Sequence, residues 1–123
     1  MMANVQGWLA TANAVVPKLT PQELRDMVSR PDVVLIDVRD APEVQESGKL
    51  RGAHNISRGM LEFRADAATP YYDSALRKDM TMVVYCASGG RSALAAKTLL
   101  PTMSGVECGP APSEKSTPAV DAG

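Results

Sequence analysis

A cysteine followed by small residues, two glycines and an arginine is the stretch of this chain best suited to chemistry. It reads Cys86-Ala87-Ser88-Gly89-Gly90-Arg91 and directly follows the apolar run of residues 81–85. If the run is a strand and a helix opens behind the glycines, backbone N–H groups point at the sulfur and stabilise a thiolate, the reactive form of cysteine. The alternative, a buried cysteine acting as a small hydrophobic residue, leaves the glycines and the arginine unexplained. The pattern predicts a nucleophilic thiol in an anion-binding loop.

The residues that follow this cysteine have structural interpretations as well as chemical ones. Gly89 and Gly90 permit a sharp turn, which is also what a cradle of N–H groups requires. Arg91 either adds a positive charge to the loop or forms a salt bridge in the first helical turn. The loop role is favoured because a cation is unfavourable at a helix N-terminus. Ser88 and Ser92 either donate hydrogen bonds to the sulfur or cap the helix. We expect the reacting group beside Cys86 to be bound by Ala87, Ser88, Gly89, Gly90, Arg91 and Ser92.

A second group of titratable residues lies at the end of another apolar run. Asp37, Arg39 and Glu43 resemble an acid–base set, but a carboxylate beside an arginine at a strand end is more often a structural ion pair, and we assign them to the scaffold. The single histidine, His54, has no cysteine or glutamate at metal-ligand spacing, so we interpret it as a turn or strand residue and expect no metal.

Three further residues are weaker candidates for a role at the site. Arg58 and Arg64 would attract an anion if they lined the mouth of the loop, although solvated surface charges are the favoured interpretation. Cys108 is a candidate second thiol that acts together with Cys86, but its loose setting favours an incidental thiol. Two cysteines in such different settings do not indicate a disulfide framework, and a catalytic thiol needs a reducing compartment, so we expect a cytoplasmic protein.

Composition indicates one domain without a polyelectrolyte partner. The chain has 123 residues, with 13 basic and 14 acidic side chains spread along it, which argues against nucleic-acid binding. No Lys or Arg precedes Lys18 and the apolar stretch there is broken, so we expect neither a secretory signal nor a membrane span.

The elements that must position the loop follow from apolar runs and helix start signals. Residues 33–38 and 81–85 are continuous apolar runs, which is typical of strands buried on both faces of a parallel sheet. Thr20-Pro21-Gln22-Glu23 is a helix start with a capping box, and further helices are predicted at about 41–47 and 92–100. Strands that alternate with helices predict an α/β fold, a small parallel sheet flanked by helices.

Four stretches, in order, resemble the rhodanese homology domain of the single-domain sulfurtransferase type. They are residues 20–24, residues 34–40 with Glu43, residues 47–56 and residues 83–92. The resemblance implies a persulfide on Cys86 that carries sulfane sulfur from a donor such as thiosulfate to a thiophilic acceptor, either a small molecule or a protein thiol. It implies no cofactor. Family sulfurtransferases are similar in having six loop residues, as here from Cys86 to Arg91, whereas related phosphatases and arsenate reductases have one more.

Beyond the helix that follows the loop, the chain departs from the family pattern. The family continues with a strand, a turn and a closing helix, whereas residues 102–123 here are rich in Pro, Ser, Gly and Ala. We therefore expect a partly helical lead-in at 1–18, a rhodanese-like domain at 19–101 that lacks the last strand and helix, and a disordered tail at 102–123. Alternatively, residues 103–108 form an edge strand. A truncated or non-catalytic binding module is thus the second hypothesis, and an arsenate reductase or phosphatase is the third.

Overall fold

The computed structural model of the chain describes residues 3–112 and 120–121. The helices of these residues are α1 (Val5–Val15), α2 (Pro21–Asp26), α3 (Ala41–Ser47), α4 (Leu61–Ala65) and α5 (Gly90–Leu99). The strands are β1 (Val33–Asp37), β2 (Lys49–Leu50), β3 (His54–Asn55), β4 (Thr81–Cys86), β5 (Gly105–Pro110) and β6 (Val120–Asp121). Single 3-10 turns lie at Met27–Ser29 and Arg58–Met60.

The main sheet has four parallel strands in the order β3-β1-β4-β5. The two predicted apolar runs, β1 and β4, are its central strands, and they pair from Val33 with Thr81 to Asp37 with Tyr85. Their apolar side chains are buried on both faces, as continuous hydrophobic runs in a parallel sheet require. The prediction of a small parallel α/β sheet is therefore confirmed. Strands β2 and β6 form a separate antiparallel pair.

The sheet separates two apolar clusters, so that each face has its own core. One cluster contains residues of α1, α4 and α5 packed on the sheet; its central members are Ala12, Ile36, Leu61, Val84, Ala96 and Leu99. The other contains residues of α2, β1, β2 and β4, among them Leu24, Leu35, Leu50, Val83 and Tyr85. Cys86 belongs to the first cluster, on the face covered by α5.

Helix α2 begins where the capping box predicts. The Thr20 hydroxyl accepts the Glu23 backbone N–H at 3.1 Å, and the Glu23 carboxylate accepts the Thr20 N–H at 2.9 Å. These reciprocal bonds satisfy N–H groups that the first turn of a helix leaves without a partner. The helix ends at Asp26 and continues as the 3-10 turn Met27–Ser29.

The C-terminal region differs from the expectation of a disordered tail from residue 102. Residues 105–110 form β5, which pairs with β4 from Thr81 with Gly105 to Cys86 with Pro110. Val106 and Cys108 are buried, so the alternative of an edge strand near 103–108 is the arrangement found. No helix follows β5 within residues 3–112. The expected tail at 113–119 and 122–123 lies outside the described residues.

The lead-in packs on the sheet beside the cysteine loop. Helix α1 lies against α5, and Ala12 and Val16 are buried in the core. After this helix, the Cys108 N–H donates to the Pro17 carbonyl at 3.0 Å and the Leu19 N–H donates to the Cys108 carbonyl at 2.7 Å. The segment thus extends the sheet beyond β5. None of the described helices has the length and apolar character needed to cross a membrane.

Candidate active site

Cys86 is the last residue of β4, and its sulfur lies at the N-terminal end of α5. Its Sγ accepts the N–H of Gly89 at 3.1 Å and the N–H of Ser92 at 3.4 Å. Gly89 has φ +102°, a left-handed conformation that a residue with a Cβ rarely adopts, and α5 starts at the next residue. The N–H groups of Gly89 and Ser92 therefore point at the sulfur from the start of the helix.

The surroundings of Cys86 stabilise its thiolate. Burial by itself raises the pKa of Cys86, because it penalises the charged form. Hydrogen bonds to the sulfur from the Ser92 side chain and from the backbones of Ser92, Gly89 and Ser88 outweigh this penalty, and the net pKa is lowered. A lowered pKa increases the thiolate fraction near neutral pH, which is the property that a cysteine nucleophile needs.

Ser92 is buried with its hydroxyl next to the sulfur. Its Oγ lies 3.6 Å from the Cys86 Sγ, and it is also 3.1 Å from the Gly89 carbonyl and 3.2 Å from the Gly109 carbonyl. A hydroxyl has one proton, so it donates to one of these three groups at a time. With a neutral thiol, the Cys86 S–H donates to Oγ; with a thiolate, the hydroxyl donates to the sulfur. The Ser92 side chain is thus at the sulfur, whereas the N-cap residue of α5 is Gly89 and no side chain caps the start of this helix.

The loop is open to solvent on the side formed by Ala87 and Ser88. Both residues are exposed, whereas Cys86 and Gly89 are buried and Gly90 is half-buried. The Ala87 side chain makes no hydrogen bond, because it has no polar atom, and Ser88 acts on the sulfur through its backbone N–H. A reagent that reaches the sulfur from this side passes a small methyl and a short hydroxyl.

Arg91 is held by a carboxylate from a distant part of the chain. Its Nη1 and Nη2 donate to the two carboxylate oxygens of Glu43, in the first turn of α3, at 2.7 and 2.9 Å. This hydrogen bonding lowers the pKa of Glu43 to about 2 and raises that of Arg91. The negative charge of a Cys86 thiolate also raises the pKa of Arg91. Of the two roles considered for Arg91, the structure shows the salt bridge, and a contact of Arg91 with a bound reagent stays a prediction.

Asp37 and Arg39 form the buried structural ion pair that the sequence suggests. Arg39 Nε and Nη2 lie 2.9 and 2.6 Å from the two Asp37 carboxylate oxygens, and both residues are buried. Arg39 also donates to the Gly48 carbonyl at 2.8 Å and lies over the ring of Tyr85, whose hydroxyl accepts the Leu50 N–H at 3.0 Å. This network fixes the end of α3 to the end of β1, next to the loop but without touching its sulfur.

His54, Arg58 and Arg64 are not part of the loop. His54 is half-buried on the edge strand β3. Arg58 donates to Glu62 at 2.9 Å and to Thr98 at 3.1 Å, near the opposite end of α5 from the cysteine. Arg64 is exposed on α4. His54 in a strand and Arg64 at the surface agree with their structural interpretations, whereas Arg58 is half-buried and paired and not a solvated surface charge.

Cys108 lies next to the site but is not activated. It is fully buried in β5, opposite Val84, and burial raises the pKa of its thiol. Within residues 3–112 and 120–121, no three His, Cys, Asp or Glu side chains are grouped so as to hold a metal ion.

Lys18 is the residue beside the loop that the sequence did not indicate. Its Cε and Nζ lie 3.7 and 3.8 Å from the position that a Cβ on Gly89 would occupy. This proximity depends on the pairing of Lys18 with Cys108 at the edge of the sheet. No local pattern announces such a pairing, because the two residues are far apart in the chain.

Comparison with known proteins agrees with the geometry. A Rhodopseudomonas palustris protein of unknown function, described as a possible tyrosine phosphatase, is 34% identical over 90% of this chain and 86% of its own, with a TM-score of 0.84. The polysulfide-sulfur transferase homodimer of Wolinella succinogenes is 29% identical over 85% of this chain and 74% of its own, with a TM-score of 0.66. No curated protein matches the chain. The profile of the rhodanese-like domain matches residues 20–109, and the chain therefore belongs to the rhodanese-like domain family.

Proposed function

We propose that this protein is a sulfurtransferase that moves sulfane sulfur from a donor such as thiosulfate to a thiophilic acceptor through a persulfide on Cys86. The observation that carries the proposal is the pair of N–H groups, from Gly89 at 3.1 Å and Ser92 at 3.4 Å, directed at a sulfur whose pKa is lowered. The similarity to a polysulfide-sulfur transferase supports the same reaction class.

The reaction consists of two displacements at sulfur. The Cys86 thiolate attacks the outer sulfur of thiosulfate, a new S–S bond forms, and sulfite leaves with the electrons of the bond that breaks. The resulting persulfide anion stays near the loop N–H groups, which stabilise negative charge as an oxyanion hole does. Cyanide or a thiolate then attacks the outer sulfur, and Cys86 leaves as the thiolate. Neither displacement requires a proton transfer, so no separate general base is needed.

The acceptor and the compartment follow from this chemistry. The exposed side of the loop at Ala87 and Ser88 admits a small acceptor or a protein thiol. Cys86 must stay a free thiolate between turnovers, and we therefore propose a reducing compartment, the cytoplasm.

A phosphatase is the second candidate, favoured by the relative described as a possible tyrosine phosphatase. Two features of this chain argue against it. The loop from Cys86 to Arg91 has six residues, which suits a sulfur atom better than a tetrahedral oxyanion. Both terminal nitrogens of Arg91 are bound to Glu43, so part of the donor capacity and charge of this guanidinium is already used before a phosphate binds. Hydrolysis of p-nitrophenyl phosphate that depends on Cys86 would favour the phosphatase.

The test is the mass of the intact protein after thiosulfate treatment. We expect wild type to gain one sulfur atom and to lose it again on addition of cyanide. Cys86→Ser must gain none, and Cys108→Ser, the matched control at the buried thiol, must still gain one. If wild type shows a cooperative thermal transition yet gains no sulfur, the sulfurtransferase proposal is wrong and a non-catalytic binding module is favoured.

A further inference from the structure

The N-terminal segment places a positive charge over the cysteine loop. The Lys18 Nζ lies 3.8 Å from the position of a Cβ on Gly89, and the N–H of Gly89 donates to the Cys86 sulfur at 3.1 Å. Lys18 itself is exposed. Its ammonium is thus next to the loop and reachable from solvent, on a residue outside the six that form the loop.

Sheet pairing holds the backbone on both sides of this lysine. Hydrogen bonds of 3.0 and 2.7 Å tie the flanking Pro17 and Leu19 to Cys108. The N-terminal segment also lies close to β5 at the residue after Lys18, because a Cβ on Gly109 would lie 2.7 Å from the Leu19 carbonyl oxygen. Sheet pairing therefore brings the residue that carries the ammonium to the loop.

The charge of Lys18 is less compensated than that of Arg91. Glu43 binds both terminal nitrogens of Arg91, and Asp40 also acts on it electrostatically. Among the described residues, no carboxylate lies within 4.0 Å of the Lys18 ammonium. An anion that approaches Cys86 therefore meets an available cation at Lys18.

We propose that Lys18 is a specificity-determining residue that binds the anionic end of a reagent or sulfur donor while its electrophilic atom reaches Cys86. It would favour a donor such as thiosulfate, whose sulfonate end carries the charge, over a neutral donor. The part that concerns sulfur donors rests on the proposed sulfurtransferase function. The electrostatic part does not, because the ammonium acts on any anionic electrophile at this loop.

The first test uses two alkylating reagents that differ in charge. The Cys86 thiolate displaces iodide from anionic iodoacetate or neutral iodoacetamide, and peptide mapping confirms modification at Cys86. The ratio of the two rates cancels any change in the thiolate fraction. We expect Lys18→Gln to lower this ratio about threefold, the effect of a unit charge about 6 Å away in a water-like dielectric. Lys18→Arg keeps the charge and should keep the ratio.

Lys97→Gln is the matched control for this experiment. Lys97 is exposed on α5, about 10 Å along the helix axis from Gly90, and its removal should leave the ratio unchanged. An unchanged ratio in Lys18→Gln, or an equal fall in Lys97→Gln, would overturn the proposal.

The second test separates Lys18 from the proposed function. Sulfur transfer to Cys86 is followed with thiosulfate and with a neutral dialkyl trisulfide, whose central sulfur the thiolate attacks to give an alkyl trisulfide on Cys86 and a free alkanethiolate. Lys18→Gln should slow only the reaction with thiosulfate, by the same factor of about three. If both reactions slow equally, Lys18 has no role in donor choice and that part of the proposal is wrong. If wild type takes sulfur from neither donor, the sulfurtransferase function is wrong, while the alkylation ratio still decides whether Lys18 attracts anions.

Discussion

The guanidinium of Arg91 and the carboxylate of Glu43 form a two-point ion pair, with N–O distances of 2.7 and 2.9 Å, across 48 residues of chain. Each side chain is about two-fifths exposed. The pair joins the first turn of α3 to the first turn of α5, the helix that directs its N–H groups at Cys86. A residue of the scaffold thus limits the charge that Arg91 presents to the thiol.

Removal of this carboxylate should make the thiol more acidic. In Glu43→Gln, the charge of Arg91 is no longer compensated and stabilises the thiolate of Cys86 more strongly. We expect the midpoint of the pH profile for Cys86 alkylation by iodoacetamide to fall by about 0.2–0.7 unit, the size of a partly exposed charge interaction. Glu62→Gln breaks the pair with Arg58 instead and should leave the midpoint unchanged. A midpoint that rises in Glu43→Gln would contradict this account.

The same ion pair should contribute stability that depends on pH. The pKa of Glu43 is about 2 in the folded protein, below its ordinary value of 4.5, so the folded state favours the ionised carboxylate. The contribution is complete above about pH 4.5 and is lost as the pH falls towards 2. Urea unfolding of wild type and Glu43→Gln should therefore differ more at pH 6 than at pH 3. An equal difference at both pH values would show that ionisation of Glu43 is not responsible.

Loss of the Ser92 hydroxyl should raise the pKa of the Cys86 thiol. This hydroxyl lies 3.6 Å from the sulfur and is one of the groups that lower the pKa. A hydrogen bond to a charged group contributes about 1.5–3 kcal/mol, so Ser92→Ala should shift the alkylation midpoint upwards by about 1–2 units. Ser88→Ala is the matched control, because Ser88 acts through its backbone. Equal midpoints in the two variants would exclude a specific role of the Ser92 hydroxyl.

The Asp37 and Arg39 pair should matter for stability far more than exposed pairs do. Asp37→Asn leaves the buried Arg39 without its carboxylate, and breaking a buried pair in this way costs about 3–5 kcal/mol. Asp32→Asn breaks a pair with Arg30 in which both side chains are more than half exposed, and should cost less than about 1 kcal/mol. Denaturant unfolding measures both variants. Similar losses would mean that burial does not decide the strength of these pairs.

The parts of the fold that could be predicted from sequence are those with a local signal. The apolar runs at 33–38 and 81–85 became the central strands, and the capping box at Thr20 became the start of a helix. Strand β5 was harder to predict because it contains Gly105, Glu107 and Pro110, which have low strand propensity. Its burial comes from pairing with β4 and not from its own composition.

The candidate site also has a part with a local sequence signal and a part without one. The short stretch after Cys86 indicated a thiol cradle, since all its N–H donors are close in sequence. The charges around it were missed as partners because they come from elsewhere in the chain. Glu43 reaches Arg91 from α3, and Lys18 reaches the loop from beyond the sheet edge. A single sequence does not show which charges at such separations will meet.

Gly109 makes a close contact with the N-terminal segment, so a larger residue at this position should destabilise the fold. A Cβ at Gly109 would lie 2.7 Å from the carbonyl oxygen and 3.3 Å from the Cβ of Leu19, and the backbone oxygen has little freedom to move away. Gly109→Ala should therefore cost about 1–3 kcal/mol in unfolding free energy, the usual range for overpacking. Gly59→Ala is the control, because a Cβ there meets no atom within 4 Å and should change stability little.

The Gly109→Ala substitution should also change the position of the Lys18 ammonium beside the cysteine loop. If the added methyl pushes the segment of Lys18 and Leu19 away from β5, the ammonium moves away from the loop with it. The ratio of Cys86 alkylation by iodoacetate to that by iodoacetamide should then fall in Gly109→Ala, as in Lys18→Gln, and stay unchanged in Gly59→Ala. A folded Gly109→Ala protein that loses stability yet keeps the wild-type ratio would show that the pairing at Cys108 does not set the position of the Lys18 charge.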